Sequence, residues 1–230
     1  AAWGITSAQT FRTLVTDREA SFRGLATYEN KVIWVSGSKG TVGYSVDAGE
    51  NWSWVNPEGY ERYDFRDIAV FSKNEAVIVS AGSPAVVLRT TNGGQSWQEV
   101  YKDTRAEIFL DAMDFYGKTG YILGDPIEGS FQLLKTTNKG KTWTDVSKNF
   151  MLFADDGEAA FAASGSNIQV FKDFVYIGTG GLFSGFFYYS PKNLRIDKYE
   201  CPIWYGNASS GIFALDFINE QTGIVVGGNY

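Results

Sequence analysis

An all-β propeller of four-stranded antiparallel blades is the fold this sequence predicts, and three observations carry it. A turn-and-tryptophan motif recurs as Tyr44–Trp52 (YSVDAGENW), Thr90–Trp97 (TTNGGQSW) and Thr136–Trp143 (TTNKGKTW), and aligning Asp47, Asn92 and Asn138 gives intervals of 45 and 46 residues. Short apolar runs with the length of strands fill the space between copies, and helical periodicity is absent. A fixed period of this size with four strands per unit is the mark of a propeller blade.

The chemistry of the motif explains why it recurs. Asp or Asn followed by Gly adopts the positive backbone angles of a tight hairpin while its short side chain bonds nearby amides. The aromatic three residues beyond the last Gly then opens the returning strand and pins the hairpin to a neighbour. Asp47, Gly49 and Trp52, then Asn92, Gly94 and Trp97, then Asn138, Gly140 and Trp143 are the positions concerned. They resemble the Asp-box, or BNR, repeat, S/T-x-D-x-G-x-x-W, a structural device rather than a catalytic one.

In chain order, residues 1–20 hold one candidate strand, Phe11–Val15, placed to close a ring from its N-terminal side. Units follow at about 21–57, 63–102 and 107–148, each with four predicted strands. In the first these are Phe22–Thr27, Val32–Ser36, Thr41–Ser45 and Trp52–Val55. A fourth unit at 158–202 is irregular: its first strand is expected within Ala160–Ser164, and its box has decayed to Ser190–Leu194 with no Trp. A fifth begins at 211 and stops at 230, half-way through a blade. The expectation is therefore a piece of a six- or seven-bladed ring, the alternative being five blades closed by N-terminal strands.

Composition narrows the function classes. The 230 residues are 44% hydrophobic and 20% charged, ordinary for a globular domain, with 26 Gly and 16% aromatics suiting many short strands and turns. Net charge is −6 and no segment concentrates Lys or Arg, which argues against nucleic acid. With no His, a Ser-His dyad and a His-ligated metal are excluded within these residues, and a single Cys201 excludes an intrachain disulfide. No metal or cofactor is expected, and no apolar run is long enough to span a membrane.

The runs FRDIAV (Phe65–Val70), SAGSPA (Ser80–Ala85), FLDAMDF (Phe109–Phe115), GDPIEG (Gly124–Gly129), EAAFAASGSNI (Glu158–Ile168), GTGG (Gly178–Gly181), GIFALDF (Gly211–Phe217) and GIVVGGNY (Gly223–Tyr230) are more specific than the box. They resemble a family of bacterial exported BNR-repeat propellers, often labelled "oxidoreductase" and similar to the photosystem II stability and assembly factors. That resemblance implies a periplasmic or cell-surface location. The label has no sequence counterpart, because no strand leads into G-x-G-x-x-G with an acidic residue some way on.

These runs sit on inner strands and adjoining turns, where a propeller lines its channel mouth. Arg23 and Arg66 are equivalent in the first two units, each following a Phe; with Asp67, Asp111, Asp125 and Glu158 they are the candidate ligand-binding residues. Asp67 and Asp111 each fall two residues past an aligned Phe. The bland alternative is that these charges pair with each other and tie blades together. Two functions compete: a non-catalytic scaffold binding a protein or glycan at the channel mouth, and a glycoside hydrolase, sialidase-like or endoglucanase-like, drawing on Asp111, Asp125 and Glu158. The second needs two free carboxyls about 5–9 Å apart. Trp204, Tyr205, Phe183 and Phe186 are candidates for a contact surface, or else blade packing.

Overall fold

The structure, a computed structural model, describes residues 13–14, 18–150, 152–161 and 165–230. Five four-stranded antiparallel sheets are arranged as a propeller. The first is β1 (Phe22–Tyr28), β2 (Val32–Gly37), β3 (Val42–Ser45) and β4 (Ser53–Trp54), paired in chain order. The second is β5 (Asp64–Val70), β6 (Ala76–Ala81), β7 (Ala85–Thr90) and β8 (Gln98–Asp103). The third is β9 (Leu110–Tyr116), β10 (Thr119–Ile127), β11 (Ser130–Thr136) and β12 (Thr144–Asp145), with one helical turn, α1 (Ser147–Phe150), after it.

Beyond this the order changes. A two-residue strand β13 (Glu158–Ala159) precedes β14 (Ile168–Val170) and β15 (Val175–Gly178); then come β16 (Gly180–Gly181), β17 (Phe186–Ser190) and β18 (Arg195–Tyr199). The fourth sheet is β14-β15-β17-β18. The fifth is built from the long hairpin of β19 (Ser210–Asn219) and β20 (Thr222–Asn229), with β16 and β13 added beside β19. The fourth sheet thus starts at Ile168 and not within Ala160–Ser164, of which residues 162–164 lie outside the described residues. Gly165 accounts for the later start. It sits at φ +64, where a strand cannot continue, and a Cβ there would lie 2.9 Å from the Asp67 carboxyl carbon. The expected closing strand Phe11–Val15 also lies largely outside the described residues; Thr13 and Leu14 form no strand.

Strand alternation divides the core into layers between consecutive sheets. On β6, Ala76 and Ile78 face the first sheet with Trp34 and Val42, while Val77 and Val79 face the third with Ile122 and Leu134. Both faces of β6 and β7 are therefore buried, so these strands read as continuous apolar runs rather than alternating ones. Leu123, Phe131 and Leu133 meet Ile168, Val175 and Phe187 between sheets three and four. Tyr176, Phe174 and Leu215 form the smaller layer between sheets four and five, with Phe186 and Phe217 stacked at 5.5 Å.

The three boxes share one hydrogen-bond plan. The hydroxyl of Ser45, Thr90 or Thr136 donates to the side-chain oxygen of Asp47, Asn92 or Asn138 at 2.7, 3.0 and 2.9 Å. The same hydroxyl accepts from the N–H of Gly49, Gly94 or Gly140 at 2.8, 2.9 and 3.1 Å. The turn itself places Ala48 and Gly49, Gly93 and Gly94, and Lys139 and Gly140 at positive φ. Four residues past the Asp or Asn, the polarity of the partner inverts. Asp47 accepts from the amide of Asn51 at 2.7 Å, whereas Asn92 and Asn138 donate to the hydroxyls of Ser96 and Thr142 at 2.9 Å each. Acceptor faces donor in every copy, so the Asp-to-Asn change at the box is compensated.

Trp52 stays within its own box, donating to the Gly49 carbonyl at 3.0 Å, whereas the other two box tryptophans reach the preceding sheet. Trp97 donates from Nε1 to the Val55 carbonyl at 2.9 Å and meets Trp34 edge-on at 6.3 Å, joining sheets one and two. Trp143 packs edge-on against Phe115, which in turn meets Phe71 of the second sheet.

Two outcomes follow for stability. Thr90→Val leaves the buried Gly94 N–H without its acceptor and is expected to cost about 1–3 kcal/mol in denaturant unfolding. Asp47→Ala removes the acceptor of the Asn51 N–H and side-chain amide and lowers the melting temperature, while Asp47→Asn with Asn51→Ser recreates the second box and keeps it. A double variant no more stable than the single one contradicts the compensation.

Candidate functional site

Four of the five inner strands carry an irregularity at the same level. The ladder of β1 with β2 slips between Phe22 and Gly24, that of β5 with β6 between Phe65 and Asp67. β9 skips one residue opposite the Leu123–Gly124 step, and β19 slips between Ile212 and Ala214. The extra residues are Arg23, Arg66, Asp111 and Phe213. A bulge takes its residue out of the strand register and re-aims its side chain, which makes these four the equivalent positions around the channel mouth. The register corrects one equivalence expected from sequence. Asp111 matches Arg66, and Asp67 matches Ala112, because Leu110 rather than Phe109 takes the buried place of Phe65.

Below the bulges the inner strands are tied blade to blade by side chains reaching backbone. Ser36 Oγ of β2 donates to the Phe65 carbonyl at 3.1 Å. Asp67 accepts from the Met113 N–H at 2.7 Å, and Asp114 accepts from the Val170 N–H at 2.6 Å. Gln169 donates to the Phe217 carbonyl at 3.0 Å and accepts from its N–H at 2.7 Å. Within this frame lies an axial cavity of about 950 Å³, lined by Arg23 and Asp67 together with Met113, Asp114, Gln169 and Asp216. Arg23 reaches it with a buried Nε that lacks a hydrogen-bond partner.

The remaining expected residues lie nearer the rim. Arg66 is bonded to Asp64 at 2.8 Å and lies over the Phe109 ring at 5.9 Å. Asp111 is 1% exposed, and neither carboxyl oxygen has a hydrogen-bond partner. Burial first, and the nearby Asp125 charge second, push its pKa well above the usual carboxylate range, while Arg66 pulls the other way. Asp125 accepts from the Ala160 N–H at 2.9 Å, and burial raises its pKa. Glu158 is buried among three donors: Thr179 Oγ1 in a short contact, the Asp155 N–H at 2.9 Å and Lys198 Nζ at 2.9 Å. Lys198 also holds Asp155 at 2.6 Å; burial alone would lower its pKa, but its two carboxylate partners outweigh this and raise it.

Asp125 and Glu158 line a second cavity of about 630 Å³ with Glu107, Asp155 and Asp156. Six residues singled out by sequence are thus not brought to one place. Arg23 and Asp67 reach the axial cavity, Asp125 and Glu158 the acidic pocket, and Arg66 and Asp111 line neither. Sequence reasoning passed over Asp114, Gln169 and Lys198. Asp114 was visible as the second acidic residue of FLDAMDF, but Lys198 acts from a strand 40 residues away from Glu158 and leaves no local signal. No group of three or more His, Cys, Asp or Glu suited to a metal occurs among the described residues, and no helix there is long and apolar enough to cross a membrane.

A family model described as Photosynthesis system II assembly factor YCF48 matches residues 60–158, the second and third sheets and the approach to the acidic pocket. The chain is a BNR-repeat propeller resembling the photosystem II assembly factors. Among solved structures, one described as YCF48 bound to D1 peptide is 17% identical over 90% of this chain and 75% of that one, with a TM-score of 0.47. YCF48 from Cyanidioschyzon merolae is 16% identical over 94% and 82%, with a TM-score of 0.48. The GH74 enzyme of Niastella koreensis is 20% identical over 76% of this chain but only 24% of its own, with a TM-score of 0.50. At these identities the last likeness is one of fold. No curated protein sequence matches the chain.

The tied carboxylates give the propeller a pH signature. Burial holds Asp67 up to about 8 against its backbone bonds to Met113 and Ile68, and holds Asp114 up to about 6. The folded chain therefore keeps protons that an unfolded carboxyl releases near pH ~3.9. Their contribution to stability is whole below that pH and falls as pH rises, through about 6 for Asp114 and about 8 for Asp67. Denaturant midpoints are expected to fall between about pH 6 and 8.5, and Asp67→Asn, which has no proton to lose, flattens that part of the curve. A wild-type midpoint constant over this interval contradicts the assignment.

Proposed function

We propose that this propeller is a non-catalytic scaffold that binds a polypeptide at the bulged end of its channel. The observation that carries the reading is how the mouth carboxyls are engaged. Glu158 is neutralised by Lys198, Asp125 is held by a backbone N–H, and Asp111 is enclosed beside Arg66. A glycoside hydrolase requires one carboxyl free to protonate a leaving group and another free to attack or activate water. Groups fixed in this way serve architecture better than proton transfer. The family match over residues 60–158 supports the same direction, since its description is that of an assembly factor. An exported location, implied by the resemblance, belongs to this reading and is tested by cell fractionation.

The test places a photo-crosslinking amino acid at Arg66, on the mouth, and at Tyr116, which is exposed at the far end of β9. Crosslinking in cells is expected to give a discrete, mass-identified protein adduct from position 66 and none from position 116. Release of reducing sugar from xyloglucan or a sialoside, abolished by Glu158→Gln, overturns the reading in favour of the hydrolase.

A further inference from the structure

The acidic pocket is lined by polar and small residues, and exposed apolar side chains lie on the segments next to that lining. On one side Phe153, 64% exposed, is held beside the pocket by the Ala154 N–H bond to the Gly129 carbonyl at 3.0 Å. On the other side Leu182 lies over Gly157, bonding its carbonyl at 3.0 Å, and the Gly206 N–H bonds the Gly181 carbonyl at 3.0 Å. That second bond sets the loop with Trp204, 70% exposed, and Tyr205, 51% exposed, beside the Leu182–Phe183 pair. An isolated exposed apolar residue needs no explanation, but several on the segments flanking one charged cavity mark a contact surface.

Charge complementarity selects the occupant. Five carboxylates line the cavity, and Lys198, bonded to Asp155 and Glu158, is the cation they hold among the described residues. Glu107, Asp155 and Asp156 are exposed. A neutral sugar stacks on aromatic rings but leaves this charge unanswered. An arginine or lysine answers it, and its alkyl stem and planar head lie well against Trp and Tyr faces. A cavity of about 630 Å³ is roomy enough for such a side chain with part of its backbone.

Resting on the scaffold reading above, we infer that the acidic pocket and its aromatic rim form the docking site for a basic polypeptide segment, one in which arginine or lysine alternates with apolar residues. The pocket takes the cation, and the rim takes the flanking apolar side chains. Electrostatic attraction speeds the encounter, while the buried aromatic contacts slow release.

The probe is a fluorescein-labelled peptide of alternating arginine and leucine, titrated by anisotropy against the same peptide with citrulline for arginine and against a xyloglucan oligosaccharide. The arginine peptide is expected to bind at least about tenfold more tightly than its neutral counterpart and to weaken with added salt. Glu107→Gln with Asp156→Asn, both on exposed side chains, is expected to remove that advantage without lowering the melting temperature. Trp204→Ala is expected to weaken both peptides alike. Equal binding of the citrulline peptide, indifference to the carboxamide pair, or binding of the oligosaccharide in place of the peptides each overturns the inference. Adducts from position 66 with an indifferent pocket leave the scaffold reading standing and sink this site; no polypeptide adduct from the mouth sinks both.

Discussion

The structure depends on one constraint above others: an inner strand has a neighbour on one side only along most of its length, so backbone N–H groups facing the axis must find partners elsewhere. This chain solves the problem with side chains from the preceding blade. Asp67 serves Met113, Asp114 serves Val170, and Gln169 serves both backbone groups of Phe217. Each such residue is polar where the core would otherwise want an apolar one. The cost is desolvation, visible in the raised pKa values of Asp67 and Asp114. The return is a fixed phase between blades. Apolar layers alone tolerate sliding, because leucine and valine contacts have no direction, whereas a carboxylate accepting an N–H at 2.6 or 2.7 Å does not.

At the outer side the boxes do the corresponding work by a different route. There the turn is exposed and its bonds are local, running from hydroxyl to amide to side chain within a few residues. That locality is why the motif survives as a readable string. It also explains the paired exchange of Asp47 with Asn51 for Asn92 with Ser96. In both, a donor meets an acceptor, and either order satisfies the turn. In the second and third boxes the tryptophan is the one part that looks outward, and Trp97 converts a hairpin into a joint with the previous blade through the Val55 carbonyl.

Legibility followed the same division between local and distant. The three boxes, the strands of the first three sheets and the β19–β20 hairpin were readable because turn chemistry and strand alternation are encoded within short windows. The start of the fourth sheet was not, since Gly165 is needed by Asp67 of a different blade and the string around it looks like a strand. The candidate site was readable as a set of residue types and unreadable as an arrangement. Arg23 and Arg66 aligned because a Phe precedes each, but the same rule misplaced Asp111, whose register is set by burial of Leu110 and by a bulge that sequence does not announce. Lys198 escaped altogether, although it fixes the state of Glu158.

The bulges show how such a frame acquires chemistry without losing its geometry. A residue that leaves the ladder owes nothing to pairing, so its identity is free to vary: Arg23, Arg66, Asp111 and Phe213 occupy one structural position in four blades. Blades one and two present cations there, blade three a buried acid, and blade five an aromatic ring. The mouth is consequently asymmetric around a nearly symmetric axis, with Arg23 and the Asp64-paired Arg66 on the side of the first sheets and the acidic pocket where the third sheet meets β13 of the fifth. A partner docking on this end meets a surface with a defined orientation, and the segment it lays across the last blades is held in a register that a uniform ring would not impose.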